Sequence, residues 1–495
     1  MINFSVVAEG APFIGRRIIK TQEAEITADN ILDVLTKAMQ VHTMNRVEIQ
    51  YLWDYYRGKQ PILNRVKQVR PEINNRIVEN RANEIVDFKS GYLMGEPVQY
   101  VSRGGGEELT EEINRLNEYV FEEEKESLDL ELADWFHICG TSYRMVLPDR
   151  YAGEEDDSPF ELYTLDPRNT FVVYYNGLGE RPVLGVTYVL DENNLPHYFC
   201  YTKSEYFEIL QTNTDGVQIL AHSQHIVGDI PIVEYPLNSA RLGAFEIVLG
   251  LLDAINLTES NREDGVEQFI QALMVFYNVD LTSEKFQELK EKGALCVSDA
   301  DPQIKAKVEY LVNNLSQAET QTLTNQMYQA VLTICGMPNR NGGSSTSDTG
   351  AAVVLRDGWS DAEARAQKTE KMFKKSERRM LKMMLNICRI TRGLDLKVGN
   401  IEIRFTRRNY ENIGQKAQVL DLLLKNEKVH PQLAFAHCGL FVDSELAYTM
   451  SMEYYEEQQR ALMEGETEDD AEDNTGDGAA DGGTTEAREP SGVTD

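Results

Sequence analysis

Apolar residues recur every three or four positions over long stretches, which predicts a mainly helical chain with several long helices. Leu242 to Tyr277 keeps this period throughout, and an unbroken helix over it would be roughly 54 Å long. A capping box at Ser316–Glu319 and a stop at Gly336 delimit a second helix within residues 313–336. A third helix is predicted over residues 362–392, with its apolar residues on one side.

The pattern between the first two helices is different. Residues 278–312 predict a short helix, a strand at 294–297, a turn, and an alternating strand at 305–312. A small αββ unit between two long helices is the pattern of a helical stalk with a small tip.

The N-terminal half predicts helices first and strands afterwards. Residues 1–25 have little periodicity and predict an arm. Short β-type runs separated by turn residues fill 141–236, which predicts a mainly antiparallel region. Helices are predicted over 27–39, 46–56, 71–88, 107–121 and 127–139, and a strand at 401–406 with further helices completes the fold near residue 463.

Composition narrows the class of protein. The chain has 495 residues, enough for about two to four domains. Its 81 acidic and 49 basic residues give a net charge of −32, unlike a protein that binds nucleic acid or anionic membranes tightly. Residues 464–495 hold 12 of those acids and one arginine, which predicts a disordered acidic tail. The six widely spaced cysteines and the absence of a long apolar run favour a soluble chain made in a reducing cytoplasm.

Catalytic and metal-binding motifs are absent from the sequence. His222 and His225 are spaced HxxH, with His197 upstream, but residues three apart on a strand face opposite sides. The Gly-rich segment 342–347 has no lysine close behind it to hold a phosphate. We therefore expect no catalytic residues, no metal and no cofactor. An acidic α/β enzyme with a site in the β region is the less favoured alternative.

The strongest electrostatic feature is the helix predicted at 362–392, with 10 Lys or Arg against 3 Glu. Such a run is usually a solvated helix face. In a chain of opposite net charge it also suggests a partner that is acidic or carries phosphates, and this partner could be another copy of the chain. Its candidate contact residues are Lys368, Lys371, Lys374, Lys375, Arg378 and Arg379.

Six short motifs, in order and at consistent spacing, carry a resemblance to a known family. They are YYRGKQPIL at 55–63, PEINNRI at 71–77 with Asn80, DFKSGYLMGEPV at 87–98, LDPRNTF at 165–171, GDIPIVE at 228–234 and SDTGAA at 347–352. In this respect the chain resembles the portal proteins of tailed double-stranded-DNA bacteriophages, specifically the siphophage portal family. The resemblance extends over roughly residues 30–460.

The resemblance implies an α+β portal-type fold, mainly helical, with a β-rich wing, long stem helices, a small αββ clip and a helical C-terminal crown. It implies this division: 1–25 N-terminal arm; 26–237 wing; 238–277 stem helix; 278–312 clip; 313–336 second stem helix; 337–361 tunnel loop and helix start; 362–392 long basic wing helix; 393–463 wing return strand and crown helices; 464–495 acidic tail.

The resemblance also implies a function without catalysis. Portals are ring oligomers, usually dodecamers, at one capsid vertex, through which genomic DNA is packaged and later ejected without tight binding. The implied partners are further copies of the chain, the terminase large subunit, the major capsid and scaffolding proteins and a head-completion or neck adaptor, with no membrane. The implied location is the virion, after synthesis in the host bacterial cytoplasm. A neck adaptor or another virion structural protein is the alternative.

Two groups of site residues follow from the same resemblance. The tunnel loop in the DNA channel would contain Asn339, Arg340, Asn341, Gly342, Gly343, Ser344, Ser345, Thr346 and Ser347. The clip, facing the motor and later the adaptor, would present Glu284, Lys285, Glu288, Lys292, Asp299 and Asp301. The basic helix would then lie between subunits of the ring.

Overall fold

The computed structural model of the chain is α+β and divides into two compact units, residues 1–410 and residues 411–495. The residues that it describes are 15–103, 107–153, 157–212, 216–270, 273–279, 287, 305, 307–311, 317–339, 358–407, 413–426, 428–441 and 444–472. Within these ranges no helix has both the length and the apolarity needed to cross a membrane.

Ten α-helices fall within the described ranges. Seven belong to the first unit: α1 Ile31–Tyr56, α2 Arg81–Met94, α3 Glu107–Glu122, α4 Lys125–Cys139, α5 Leu249–Ile270, α6 Gln317–Cys335 and α7 Trp359–Arg392. Three belong to the second unit: α8 Ile413–Leu424, α9 Pro431–Cys438 and α10 Ser444–Glu472. Short 3-10 helices occur at Pro61–Asn64, Glu246–Val248 and Val398–Asn400.

The described strands all belong to the first unit. They are β1 Ile19–Thr21, β2 Gln99–Ser102, β3 Thr141–Pro148, β4 Phe160–Leu165, β5 Thr170–Tyr175, β6 Pro182–Leu190, β7 Pro196–Tyr201, β8 Glu205–Thr212, β9 Gly216–Gln224, β10 Ile232–Pro236, β11 Leu273–Tyr277, β12 Lys307–Leu311 and β13 Ile401–Arg404. They form a six-stranded sheet β1-β5-β6-β7-β8-β9, a three-stranded sheet β10-β3-β4, and the pairs β11-β12 and β13-β2.

The antiparallel character predicted for 141–236 is confirmed, since every pairing among β3 to β10 is antiparallel. The exception in the large sheet is β1, which joins β5 in parallel, with Ile19 opposite Val173. This strand lies in the segment predicted to be an arm. Arg16 just before it is also buried and pairs with Glu246, so part of the arm belongs to the folded unit.

The periodicity of residues 362–392 predicts its buried face correctly. Phe373, Met380, Met384 and Ile387 of α7 are all buried in one core with residues of α3, α4 and the β10-β3-β4 sheet. A second core joins α1, α2 and α4 to the α5 and α6 helices, and a third fills the space between α1 and the large sheet.

The long helix predicted over 242–277 is wrong at both ends, since α5 begins only at Leu249, after the short 3-10 helix Glu246–Val248. The helix α5 ends at Ile270, and Leu273–Tyr277 is a strand paired antiparallel with Lys307–Leu311. The sequence LMVFY fits either period, and its β-branched and aromatic residues favour a strand once an antiparallel partner is present. The remaining 22-residue helix is about 33 Å long.

Two N-terminal predictions also need correction. Residues 71–80 form no helix, and α2 begins only at Arg81. The two helices predicted before residue 57 are one helix, α1. At the other end of the chain, α10 continues to Glu472, nine residues into the segment predicted to be disordered. The rest of that segment lies outside the described residues.

Candidate functional site: the α5–α6 hairpin and the basic helix

The helices α5 and α6 form an antiparallel hairpin. Arg262 of α5 lies beside Gln317 at the start of α6, with 3.4 Å between Nε and Oε1. At the other end, Cys335 of α6 donates to the carbonyl of Ala244, just before α5. Leu252 and Leu332 are buried between the helices. The β11-β12 pair continues the hairpin beyond the helices and brings residues 277 and 307 opposite each other.

An extended segment, residues 74–80, lies along α5 and is held by a regular set of hydrogen bonds. The backbone N–H groups of Asn75, Ile77 and Glu79 donate to side chains of α5 at 2.7, 2.9 and 2.8 Å. The acceptors are Asp264, Ser260 and Asn256, respectively. Four residues of helix rise about 6.0 Å and two extended residues advance about 6.6 Å, so the two spacings match.

This segment contains Asn80 and the last four residues of the PEINNRI motif, Asn74 to Ile77, and the hydrogen bonds explain why it is not a helix. Its N–H groups are satisfied by α5 rather than by its own carbonyls. Asn80 adds a bond from its Nδ2 to the carbonyl of Tyr56, 2.8 Å away, which fixes the turn into α2. Sequence reasoning recognised the motif but not this role, since the partners are about 180 residues away.

Among the three acceptors, Asp264 is the one that also pairs with two cations. Burial raises the pKa of its carboxyl, but the amide of Asn75 and the charges of Lys67 and Arg65 outweigh burial, so the net pKa is lowered. Both cations lie 3.0 Å from Oδ2. Asp264 therefore stays ionised and holds the extended segment from two sides.

Replacing Ser260 with Ala should lower the free energy of unfolding by about 1–2 kcal/mol, because the N–H of Ile77 loses its acceptor in a part-buried site. Urea unfolding measures this change. Thr258→Ala is the matched control, since the Thr258 hydroxyl donates only to the carbonyl of Ala254 in its own helix. Equal losses for the two variants would contradict a special role for the Ser260 contact.

The residues that follow α6, Met337 and Pro338, lie beside Gly358, which precedes α7. A Cβ at Gly358 would be 3.8 Å from the carbonyl oxygen of Met337 and from Cα of Pro338. Arg365 of α7 donates to the carbonyl of Ile334 at 2.7 Å and so satisfies the C-terminal end of α6. We call residues 336–339 with 358–365 the loop root.

Of the predicted tunnel-loop residues, only Asn339 is described; it accepts a hydrogen bond from Gln329 of α6 at 3.3 Å. The others, Arg340 to Ser347, lie outside the described residues, as do the six predicted clip residues. A cavity of about 190 Å³ borders Asn339, and its wall includes Arg81, whose guanidinium carbon lies 4.1 Å from the ring centroid of Tyr328.

The helix α7 buries a charged residue among its apolar ones. Glu377 is fully buried and accepts hydrogen bonds from the hydroxyls of Tyr100 and Tyr235, at 2.5 and 2.6 Å. Lys125 lies 3.0 Å from the same carboxylate. Lys125 also pairs with Asp129, which in turn pairs with the fully buried Arg144. We call Lys125, Asp129, Arg144 and Glu377 the charge cluster.

The charge cluster keeps the Glu377 carboxylate ionised. Burial raises the pKa of Glu377, but the charges of Lys125 and Arg144 and the two tyrosine hydroxyls outweigh it, so the net pKa is lowered. Burial, together with the Glu377 charge, raises the pKa of both Tyr100 and Tyr235, which therefore remain donors. The cluster thus fixes α7 on α4, β2, β3 and β10 through paired charges rather than apolar contact alone.

Sequence reasoning missed the charge cluster, although one signal was present. Glu363, Glu370 and Glu377 are the three glutamates of a strongly basic helix, and they are seven residues apart. All three point to partners within the unit: Glu363 and Glu370 pair with Arg407, and Glu377 lies in the cluster. An acid repeated every two turns in a basic helix indicates a face with internal partners.

The six predicted contact cations of α7 fall into two groups. Two are paired within the unit: Lys374 lies 2.6 Å from Glu370, and Arg379 holds Asp229 at 2.9 and 3.1 Å. The other four are exposed, and no ion pair to them occurs among the described residues: Lys368, Lys371, Lys375 and Arg378. Only the second group is available to a partner.

The three histidines considered as a metal or catalytic group have separate partners. His197 Nε2 lies 2.8 Å from Glu208, His222 is 3.4 Å from Glu205, and His225 Nε2 lies 3.0 Å from the carbonyl of Thr202. His222 also stacks on Phe207. Within the part of the chain that the structure describes, no group of acids, histidines or cysteines could hold a metal ion.

Comparison with known protein families identifies the family to which the chain belongs. The family model described as "Phage portal protein, SPP1 Gp6-like" matches residues 36–471, most of the sequence. The chain therefore belongs to this phage portal protein family, and the resemblance drawn from the sequence motifs is confirmed. The family is structural rather than enzymatic, and it places the chain in the virion as a portal protein that assembles as an oligomer.

Comparisons with curated proteins and with solved structures add little to this family assignment. No curated protein matches the chain. Among solved structures, the chain is similar to one described as the neck of an empty GTA particle computed with C6 symmetry, with 11% sequence identity and a TM-score of 0.42. That match covers 73% of this chain and 90% of the other.

Proposed function

We propose that this portal protein forms a ring-shaped channel at one capsid vertex, through which genomic DNA is packaged and later ejected. The observation that carries the proposal is the α5–α6 hairpin, which joins the clip segment at one end to the loop root at the other. In this proposal α5 and α6 are the stem, with the stem helix ending at Ile270. Residues 26–237 are most of the wing, 278–312 the clip, and 393–463 the return strand and crown helices.

The charge of the hairpin suits a channel through which DNA must slide. The helices α5 and α6 contain six acidic residues and one arginine, Arg262, and two of these acids, Glu259 and Asp264, are paired with cations of the same unit. A wall of this sign repels phosphates and avoids the release of counterions that would hold the duplex in place. Double-stranded DNA is thus a passing partner and not a tightly bound ligand.

The clip and the loop root provide the remaining proposed contacts. The clip residues Glu284 to Asp301 would meet the terminase large subunit during packaging and a head-completion or neck adaptor afterwards. Major capsid and scaffolding proteins would surround the wing. Synthesis takes place in the host bacterial cytoplasm, and the chain uses no cofactor and contacts no membrane.

Residues 339–347 would reach from the loop root toward DNA, where small polar side chains allow brief phosphate contacts.

Shortening segment 340–347, with Asn339 retained, should leave ring assembly intact and reduce DNA packaging or retention, since the loop would no longer reach the duplex. Electron microscopy of the purified variant measures assembly, and nuclease-protected DNA in particles measures packaging. A loop of the original length made of Gly and Ser is the control, and we expect it to keep most of the function. Unchanged packaging and retention in the shortened variant would contradict the loop's role, and a wild-type protein without rings would contradict the proposed function.

A further inference from the structure

The exposed face of α7 carries a row of unpaired cations. Lys368, Lys371, Lys375, Arg378 and Lys382 follow one another at steps of three and four, so they lie on one side of the helix over about 21 Å. All five are exposed, and none of them has an ion pair among the described residues. We call these five residues the basic stripe.

The unpaired state of the basic stripe contrasts with the paired state of the acids on the same helix. Like charges one turn apart on a helix repel each other and weaken it unless opposite charges lie close by. The chain has a large excess of acids, yet Glu363, Glu370 and Glu377 of the same helix are all directed to internal partners. We therefore expect the cations of the basic stripe to form ion pairs only when another molecule binds to this surface.

The complementary surface lies on α3. Glu111 and Glu118 are exposed on one face of this helix, seven residues apart, and no ion pair to either occurs among the described residues. Glu122 extends the same face, and its carboxylate accepts a hydrogen bond from the N–H of Ser158 at 2.7 Å in the same copy. Phe121, between these acids, is 85% exposed, which is unusual for so large an apolar side chain. We call Glu111, Glu118, Phe121 and Glu122 the acidic face.

The basic stripe and the acidic face turn away from a core that both helices share. The opposite side of α3 buries Ile113 and Leu116 in the core in which α7 buries Met380 and Met384. Among the described residues no ion pair joins the two surfaces within one copy. Lys375 and Lys382 line an open cavity of their own unit, so a contact between copies would rest mainly on Lys368, Lys371 and Arg378. The shared core also fixes their relative placement, as a repeating contact between copies requires.

We propose that the basic stripe of one copy binds the acidic face of α3 in the next copy, a proposal that rests on the ring assembly described above. Two different surfaces of the same chain then meet head to tail, the kind of contact that generates a ring when the rotation closes. Phe121 supplies an apolar anchor within the ion pairs, as aromatic residues do at the centres of interfaces. The paired cations Lys374 and Arg379 take no part.

The test is a charge reversal followed by a second-site reversal. Lys371→Glu with Arg378→Glu should weaken ring formation by about tenfold or more, measured by sedimentation velocity and electron microscopy over a range of protein concentrations. Adding Glu111→Lys and Glu118→Lys to the same chain restores opposite charges and should recover most of the lost assembly. Since all four residues are exposed, the thermal unfolding of single subunits should change little.

Two controls separate a specific contact from the effect of net charge. Lys397→Glu with Arg150→Glu changes the charge equally at exposed positions outside the basic stripe and should leave assembly unchanged. Glu453→Lys with Glu457→Lys places the compensating charges on α10 and should not rescue the reversed stripe. Rescue by this pair in place of the α3 pair would overturn the proposal.

The remaining outcomes distinguish the contact from the proposed function. Normal rings from the reversed stripe would overturn the contact and leave the ring intact. If the reversed variant forms normal rings but no longer binds a short DNA duplex, the contact between copies is also overturned. The basic stripe would then be a surface that binds phosphates. Absence of rings in the wild type would instead contradict the proposed function. The pair Lys371→Gln with Arg378→Gln removes the two charges without reversing them, so it should weaken ring formation less than the reversed pair does. Normal ring formation in both variants would count against the contact.

Discussion

Replacing Glu377 with Gln should lower the free energy of unfolding of the first unit by about 3–5 kcal/mol. The carboxylate is fully buried, and its removal leaves Lys125 and Arg144 with Asp129 as their only acidic partner in the charge cluster. Glutamine keeps the shape, but its single oxygen can replace only one of the two acceptors, since Tyr100 and Tyr235 donate to different oxygens of Glu377. The loss therefore reports the missing charge together with one hydrogen bond. Urea unfolding followed by circular dichroism measures it.

The same substitution should change how stability depends on pH. The pKa of Glu377 is lowered in the folded chain, so its contribution is fully present above the unfolded value of about 4.5 and is lost as the pH falls below that value. The wild type should therefore lose more stability than the Gln variant between about pH 5 and pH 3. Parallel curves for the two proteins over this range would contradict an ionised Glu377.

A matched control lies on the same helix. Asp361 and Arg365 form an ion pair one turn apart, with both side chains about half exposed. Asp361→Asn should cost only about 0–1 kcal/mol, because an exposed pair is screened by water and salt. A loss as large as that of Glu377→Gln would show that removal of any acid from α7 destabilises the unit, independent of burial.

Periodicity predicted the parts of the fold that local sequence determines. The buried side of α7 and the antiparallel strands of 141–236 match the structure because a single period runs through each of them. The α5 prediction ran too far because Leu273–Tyr277 fits either period, and its state depends on the distant strand Lys307–Leu311. No local pattern contains that partner.

The candidate site was less predictable for the same reason. The PEINNRI motif identified the family but was assigned to a helix, because its backbone partners are side chains of α5 far along the sequence. The charge cluster joins Lys125 to Glu377 across 252 residues (377 minus 125). In contrast, the basic helix was visible from composition. Its division into paired and unpaired cations needed the positions of Glu370 and Asp229.

Replacing Gly140 with Ala should destabilise the first unit by about 4 kcal/mol or more, a loss on the scale of the Glu377 variant. Gly140 ends α4 with a φ of +85°, in the left-handed region that side chains disfavour. A Cβ there would lie 2.0 Å from the carbonyl oxygen of Arg241, so backbone must move. The carbonyl of Gly140 also accepts from the N–H of Leu237 at 3.0 Å, which ties β10 to this corner.

Gly250→Ala provides the control with the opposite expected sign. Gly250 lies in the first turn of α5, is exposed, and has no atom within 4 Å of a Cβ position. Alanine there should raise the free energy of unfolding by up to about 0.5–1 kcal/mol, since a helix favours alanine over glycine. The corner at Gly140 precedes β3, and Arg241 lies just ahead of α5, so a shift there would displace the α5–α6 hairpin from the wing. Gly140→Ala should therefore also abolish ring formation, whereas Gly250→Ala should preserve it. Equal free energies of unfolding for the two variants would contradict the close approach of Gly140 to Arg241.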